Sequence, residues 1–126
     1  MSLRTPIEKA RALGSAKAGT EHWWRERVTA VALVPLSIFL VVVVVSLIGA
    51  DHQAASAMMG HPLVAVGLIL ALVALAWHMQ LGMQVVVEDY VHDPAWKVAA
   101  LMANTFFAVA VAFLGVFAVL KISFGA

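Results

Sequence analysis

Cysteine is absent from the chain, which excludes a disulfide framework, a thiolate zinc site and iron–sulfur ligation by its own side chains. Charge is scarce too. Asp, Glu, Lys and Arg make up 12% of the 126 residues, against about 25% in a soluble domain. The formal net charge is only +1, so there is no basic footprint for nucleic acid. No glycine-rich dinucleotide fingerprint is present, which removes nicotinamide and flavin chemistry of that type from this chain. What is abundant is apolar: 63% of residues are hydrophobic and the mean hydropathy is +0.98. The balance is that of a membrane protein, and the length allows one small domain rather than two.

Three apolar runs are long enough to cross a bilayer, which takes about 20 residues. They cover residues 28–48, about 63–87 and about 97–120. The first is longer than the apolar core of a signal peptide and lies too far from Met1, so it reads as a retained helix. Pro35 inside it is expected to bend it or loosen one turn. Ahead of it, Trp23, Trp24, Arg25 and Arg27 mark a membrane interface, where ring and charge share the headgroup layer. Further back, Thr5-Pro6-Ile7-Glu8 has the form of a capping box and Gly14 that of a helix stop. Residues 1–27 are therefore expected to be a cytoplasmic or interfacial arm or short helix, and residues 28–126 a three-helix transmembrane domain. Residues 49–61 read as a connector. Pro62 opens the second span, and Asp93-Pro94 marks a helix stop and restart before the third. The expected fold is an all-α membrane protein.

Orientation follows from the basic residues. Arg4, Lys9, Arg11, Lys17, Arg25, Arg27 and Lys97 fall on one side of the three spans, and only Lys121 on the other. Basic residues stay inside. The N-terminus and the 88–96 turn are thus expected in the cytoplasm, and the first connector and the C-terminus in the periplasm.

The chemistry concentrates on the second span. His78 stands inside its apolar run, where an imidazole is costly unless its polar nitrogens are engaged. His78, Gly82, Val85 and Asp89 share one stripe of that helix, and Gly82, one turn from His78, lets a flat group or another backbone come close. Gln80 and Gln84 form a second polar pair. Several uses of His78 remain open on these grounds: interhelical hydrogen bonding, a proton relay, or axial ligation of a haem with the spare N–H held by an acceptor. No other histidine lies at its depth, so a six-coordinate haem would need its second ligand from another chain. Tyr90 is 12 residues further on, about 18 Å along the axis. Its hydroxyl can donate to a carbonyl such as that of a quinone, with Asp89 orienting it. Belt tyrosines and solvated helix-end carboxylates are the competing readings. A small structural subunit, with His78 as interhelical glue, or a transporter-like one are the alternatives of a different class.

The pattern His78-x-x-x-Gly82-Met83-x-x-x-x-x-Asp89-Tyr90 on the second of three spans resembles the D-type membrane anchor subunit of bacterial succinate dehydrogenase. The stretch from Gly19 to Ala30, which contains Arg27 before Thr29-Ala30, is similar to the N-terminal boundary of that family, particularly its alphaproteobacterial members. The resemblance implies a subunit that is not catalytic alone. It would anchor a flavoprotein subunit, which carries FAD, and an iron–sulfur subunit to the bacterial inner membrane as a multi-pass protein. It would share one haem b with a second, C-type anchor subunit and complete part of a ubiquinone site, coupling the tricarboxylic acid cycle to electron transport. Residue by residue, it implies His78 as the haem iron ligand, Arg27 as a propionate partner, and Tyr90 with Asp89 at the quinone.

Overall fold

The computed structural model describes residues 15–125, with side chains from residue 19 onward. Among the described residues it contains four helices and no strand. These are α1 (Ser15–Ser46), α2 (His52–Met59), α3 (Pro62–Tyr90) and α4 (Pro94–Ser123). Three of them, taken over Gly19–Ser46, Pro62–Tyr90 and Pro94–Ser123, are long and apolar enough to cross a membrane. The expected capping box at Thr5–Glu8, the stop at Gly14 and the basic residues Arg4, Lys9 and Arg11 lie outside the described residues.

The ends of the helices follow from short-range chemistry. His61 caps α3 by accepting from the Leu63 N–H at 3.2 Å, and Pro62 takes the first helical position, where no N–H is needed. Asp93 does the same for α4, accepting from the Ala95 and Trp96 N–H groups at 2.9 and 3.1 Å ahead of Pro94. Both starts match the expected positions of Pro62 and Asp93-Pro94.

Two boundaries differ from expectation. The helix containing the first span begins at Ser15, so the Trp-rich interface segment is helical and continuous with the span. Residues 21–27 contain no helix breaker, and Glu21 and Arg25 form an ion pair one turn apart, which favours the helix. Pro35 lies inside α1 without ending it. The connector over 49–61 holds a helix of its own, α2. Gly49, at φ 78°, turns the chain out of α1. Asp51 then accepts from the Ala54 N–H at 2.8 Å and starts α2, which is rich in Ala and Met, both good helix formers.

α3 is the middle of the three spans. It contacts both α1 and α4, while those two do not pack on each other among the described residues. Of the nine apolar residues buried among the described residues, six belong to it: Ala65, Leu68, Ala71, Ala76, Leu81 and Val87. Small residues at these contacts let the helix axes approach, which matters in lipid because apolar surface gains nothing from merely leaving another apolar phase. Gly67 of α3 accepts the ring of Phe39 from α1, and Gly115 of α4 accepts the side chain of Leu72 from α3. A Cβ on Gly67 would stand 2.6 Å from the Phe39 ring, and one on Gly115 3.0 Å from Leu72.

The apolar core cluster of Val43, Ala65, Leu68 and Val119, with Phe39, Met58 and Met59 against it, occupies the half of the bundle near α2. The other half is joined by polar contacts. Most remaining apolar side chains face outward, as a lipid-facing or subunit-facing surface requires.

The Phe39–Gly67 fit makes a direct prediction. Gly67→Val should lower the stability of the helix bundle by about 1–3 kcal/mol through overpacking. Adding Phe39→Ala should recover part of the loss. Thermal unfolding of the detergent-solubilised protein reads both, and equal melting of Gly67→Val and wild type would show that the ring does not fill that notch.

Candidate functional site

His78 sits three turns before the end of α3 and is half-buried. Its Nδ1 lies 2.9 Å from Thr29 Oγ1 of α1. Thr29 is the only buried polar side chain among the described residues, at 4% exposure. The same hydroxyl lies 2.9 Å from the Arg25 carbonyl and 3.0 Å from the Glu26 carbonyl, back along its own helix. Thr29 thus joins three polar groups across the contact of α1 with α3. A second polar tie secures α4 to the same region: Asn104 Nδ2 donates to the Gln80 carbonyl at 2.9 Å. The half of the bundle around His78 is therefore held by two interhelical hydrogen bonds, in contrast to the interdigitated apolar half near α2.

Gly82 is exposed, and a Cβ built on it would meet nothing within 4 Å. It stands one turn beyond His78 and about 40° round the helix. The stripe carrying both residues therefore passes from the buried Thr29 contact to an open surface. Among the described residues, no atom of this chain fills the space beside Gly82.

α3 carries two further concavities that share Trp77 and Gln80. One, of about 290 Å³, is apolar and runs between α3 and α4 along Val73, Ala76, Ala108 and Ala112. The other, of about 280 Å³, lies between α1 and α3 and includes Glu21, His22, Arg25 and Gln84. Nε2 of His22 is buried there with no hydrogen-bond partner among the described residues. Gln84 donates to Glu88 at 3.0 Å, and Arg25 is paired with Glu21.

The remaining residues singled out from the sequence are not drawn to His78. Arg27 holds its guanidinium 5.6 Å from the Trp23 ring centroid and is exposed. Two residues before Thr29, it stands about 200° round α1 from the contact with α3. Asp89 and Tyr90 end α3, both exposed, and no hydrogen bond joins them. No group of three or more His, Cys, Asp or Glu side chains among the described residues could hold a metal ion.

Sequence reasoning missed Thr29, Asn104 and the buried Nε2 of His22. Thr29 is 49 residues from His78, and nothing local links them. The one available signal was a hydroxyl at the start of an uncharged run, on the helix that must lie antiparallel to α3.

Three comparisons bear on this arrangement. The family described as succinate dehydrogenase/fumarate reductase transmembrane subunit matches residues 1–119. The chain is 33% identical over 122 residues to the succinate dehydrogenase hydrophobic membrane anchor subunit of Paracoccus denitrificans, covering 97% of this chain and 94% of that protein. It is 36% identical over 88 residues to the subunit of the same description in Rickettsia bellii, covering 70% of each. It is also 30% identical over 88 residues to the succinate dehydrogenase membrane anchor subunit of Reclinomonas americana, covering 68% of this chain and 73% of that one. No solved structure matches the chain.

The open surface at Gly82 predicts that Gly82→Ala leaves the bundle at least as stable as wild type, since the added methyl meets no atom and alanine favours a helix over glycine by about 1 kcal/mol. A clear fall in melting temperature of the chain in detergent would mean that the stripe beside His78 is filled by the chain itself.

Proposed function

The chain belongs to the succinate dehydrogenase/fumarate reductase transmembrane subunit family, as a membrane anchor subunit spanning the bacterial inner membrane several times, and from that premise we propose that His78 is one axial ligand of a haem b shared with a second anchor subunit. Tyr90, with Asp89, contributes one wall of a ubiquinone site at the cytoplasmic end of α3. The partners in this reading are a C-type anchor subunit, an iron–sulfur subunit and a flavoprotein subunit. FAD and the iron–sulfur clusters reside in the latter two, and this chain has no thiolate to hold a cluster.

The observation that carries the reading is His78 with Nδ1 already taken by Thr29, on the stripe that opens at Gly82. A histidine that ligates a metal engages its other ring nitrogen with an acceptor, which fixes the ring. A haem bound there would supply a one-electron carrier inside the bilayer. The chain's own residues do the rest. Thr29 orients the imidazole, Gly82 leaves the space for a flat group, and Asn104 braces α4 against α3 two residues from the ligand. Arg27 offers a guanidinium for a propionate carboxylate; from its place over Trp23 the side chain would have to swing toward the His78 side of α1. Tyr90 presents an exposed phenol where α3 leaves the apolar layer, and Asp89 beside it can exchange protons with the cytoplasm. Residues 1–27 form the cytoplasmic arm and 28–126 the anchor, with the C-terminus periplasmic, following the seven-to-one distribution of basic residues.

Interhelical glue is the competing role, and the Thr29–His78 bond serves it as well. That reading gives the second ring nitrogen no task and the open notch at Gly82 no purpose. A transporter reading lacks a charged group deep in a span, because Glu88 and Asp89 lie at the end of α3.

A dithionite-reduced spectrum of the purified complex tests the proposal. His78→Ala should abolish the b-type signal while the chain still accumulates; an unchanged signal would falsify the ligand assignment. Tyr90→Phe should keep haem but lower ubiquinone reductase turnover about 2- to 10-fold, the effect of losing one hydrogen bond of about 0.5–1.5 kcal/mol. Wild-type turnover and quinone affinity in that variant would remove Tyr90 from the site.

A further inference from the structure

We propose that Thr29 is a positioning residue that sets the tautomer of His78, holding the proton on Nδ1 and leaving the Nε2 lone pair bare for iron. The inference deepens the haem reading above and rests on it for its purpose, but the tautomer itself follows from geometry in this chain alone.

A threonine hydroxyl has one proton to give. Three groups surround Thr29 Oγ1: the Arg25 carbonyl at 2.9 Å, the Glu26 carbonyl at 3.0 Å and His78 Nδ1 at 2.9 Å. Both carbonyl oxygens can only accept, so the hydroxyl proton belongs between Oγ1 and that pair. If the proton turned to Nδ1 instead, two oxygen–oxygen contacts of about hydrogen-bond length would be left with no hydrogen in either. The remaining arrangement has Oγ1 accept and Nδ1–H donate. A neutral imidazole protonated on Nδ1 carries its lone pair on Nε2. The two nitrogens point in nearly opposite directions, so the ligating one is turned away from the Thr29 contact.

The hydroxyl is also well placed to act on the ring's electronics. Thr29 is 4% exposed, so water does not compete for Nδ1–H at that contact. An acceptor on Nδ1–H makes the ring a stronger donor at Nε2. A stronger donor favours ferric over ferrous iron and lowers the midpoint potential. The back-bond to the Arg25 and Glu26 carbonyls completes the chain, since it is what keeps the hydroxyl oxygen facing His78 as an acceptor.

The test uses the assembled complex carrying Thr29→Val, which keeps the shape and removes the hydroxyl, and Thr29→Ser, which keeps the hydroxyl and removes the methyl. Haem per chain, the midpoint potential and the ferric low-spin resonance are measured in each. Thr29→Ser should match wild type. Thr29→Val should hold less haem, or hold it at a more positive potential with a shifted resonance. Wild-type behaviour of Thr29→Val, or a serine variant that behaves like valine, overturns the proposal.

A second measurement does not depend on either variant. In wild-type complex assembled in cells starved of haem, nitrogen-15 spectra of labelled histidine should show His78 protonated at Nδ1 and bare at Nε2. Protonation at Nε2, or at both nitrogens, overturns the assignment. Failure of the underlying haem reading shows up separately, as a b-type signal that survives His78→Ala.

Discussion

An imidazole in the apolar layer of a membrane is costly unless its polar nitrogens are engaged, and the half of this protein around the start of α1 is arranged around that constraint. Thr29 answers it from the neighbouring helix. The threonine is in turn satisfied by carbonyls one turn back along α1, so the three-way contact closes without any charged group. Interhelical hydrogen bonds in membranes are worth only about 0.6 kcal/mol on average. The contact matters less as a source of stability than as a device that decides where a ring nitrogen points.

The two halves of the bundle are held by different physics. Near α2, Phe39 seats on Gly67 and Leu72 on Gly115, and contact between closely packed helices does the work. Near His78 the buried apolar residues are fewer, and Thr29–His78 and Asn104–Gln80 join α3 to its neighbours on both sides. Close packing tolerates no inserted group. A half held at two points leaves room on either side of α3, and there the Gly82 opening and the paired concavities around Trp77 and Gln80 are found. A subunit that docks on others needs an unfinished surface, and this layer of three helices, with α3 between two that do not pack on each other among the described residues, supplies one.

The start positions of α3 and α4 were readable because they depend on residues within one turn: His61-Pro62 and Asp93-Pro94 act on their own backbone. The start of α1 was not, because tryptophan, arginine and glutamate next to a span signal the interface equally well as helix or as irregular arm. α2 escaped notice because its eight residues are too few for a helical period to stand out. In the candidate site, His78 and Gly82 announced themselves by type and spacing on one helix, and Tyr90 with Asp89 by position at its end. Arg27 had the right neighbours in sequence, yet the turn of the helix sets it over Trp23, on the far side of α1 from His78.

Composition and hydropathy by themselves determined that the chain is a membrane protein of three helical spans, because in lipid every backbone group must be paired within its own segment and only the length of the apolar run is left to vary. They also placed a histidine at depth and a tyrosine near the end of the same helix, since both facts are counts along one chain. Only the tertiary structure decided which nitrogen of that histidine is engaged and by what. Thr29 and His78 meet because α1 and α3 run antiparallel at close range, and the angle at which two helices face each other is fixed by packing along their whole length, which no local pattern records.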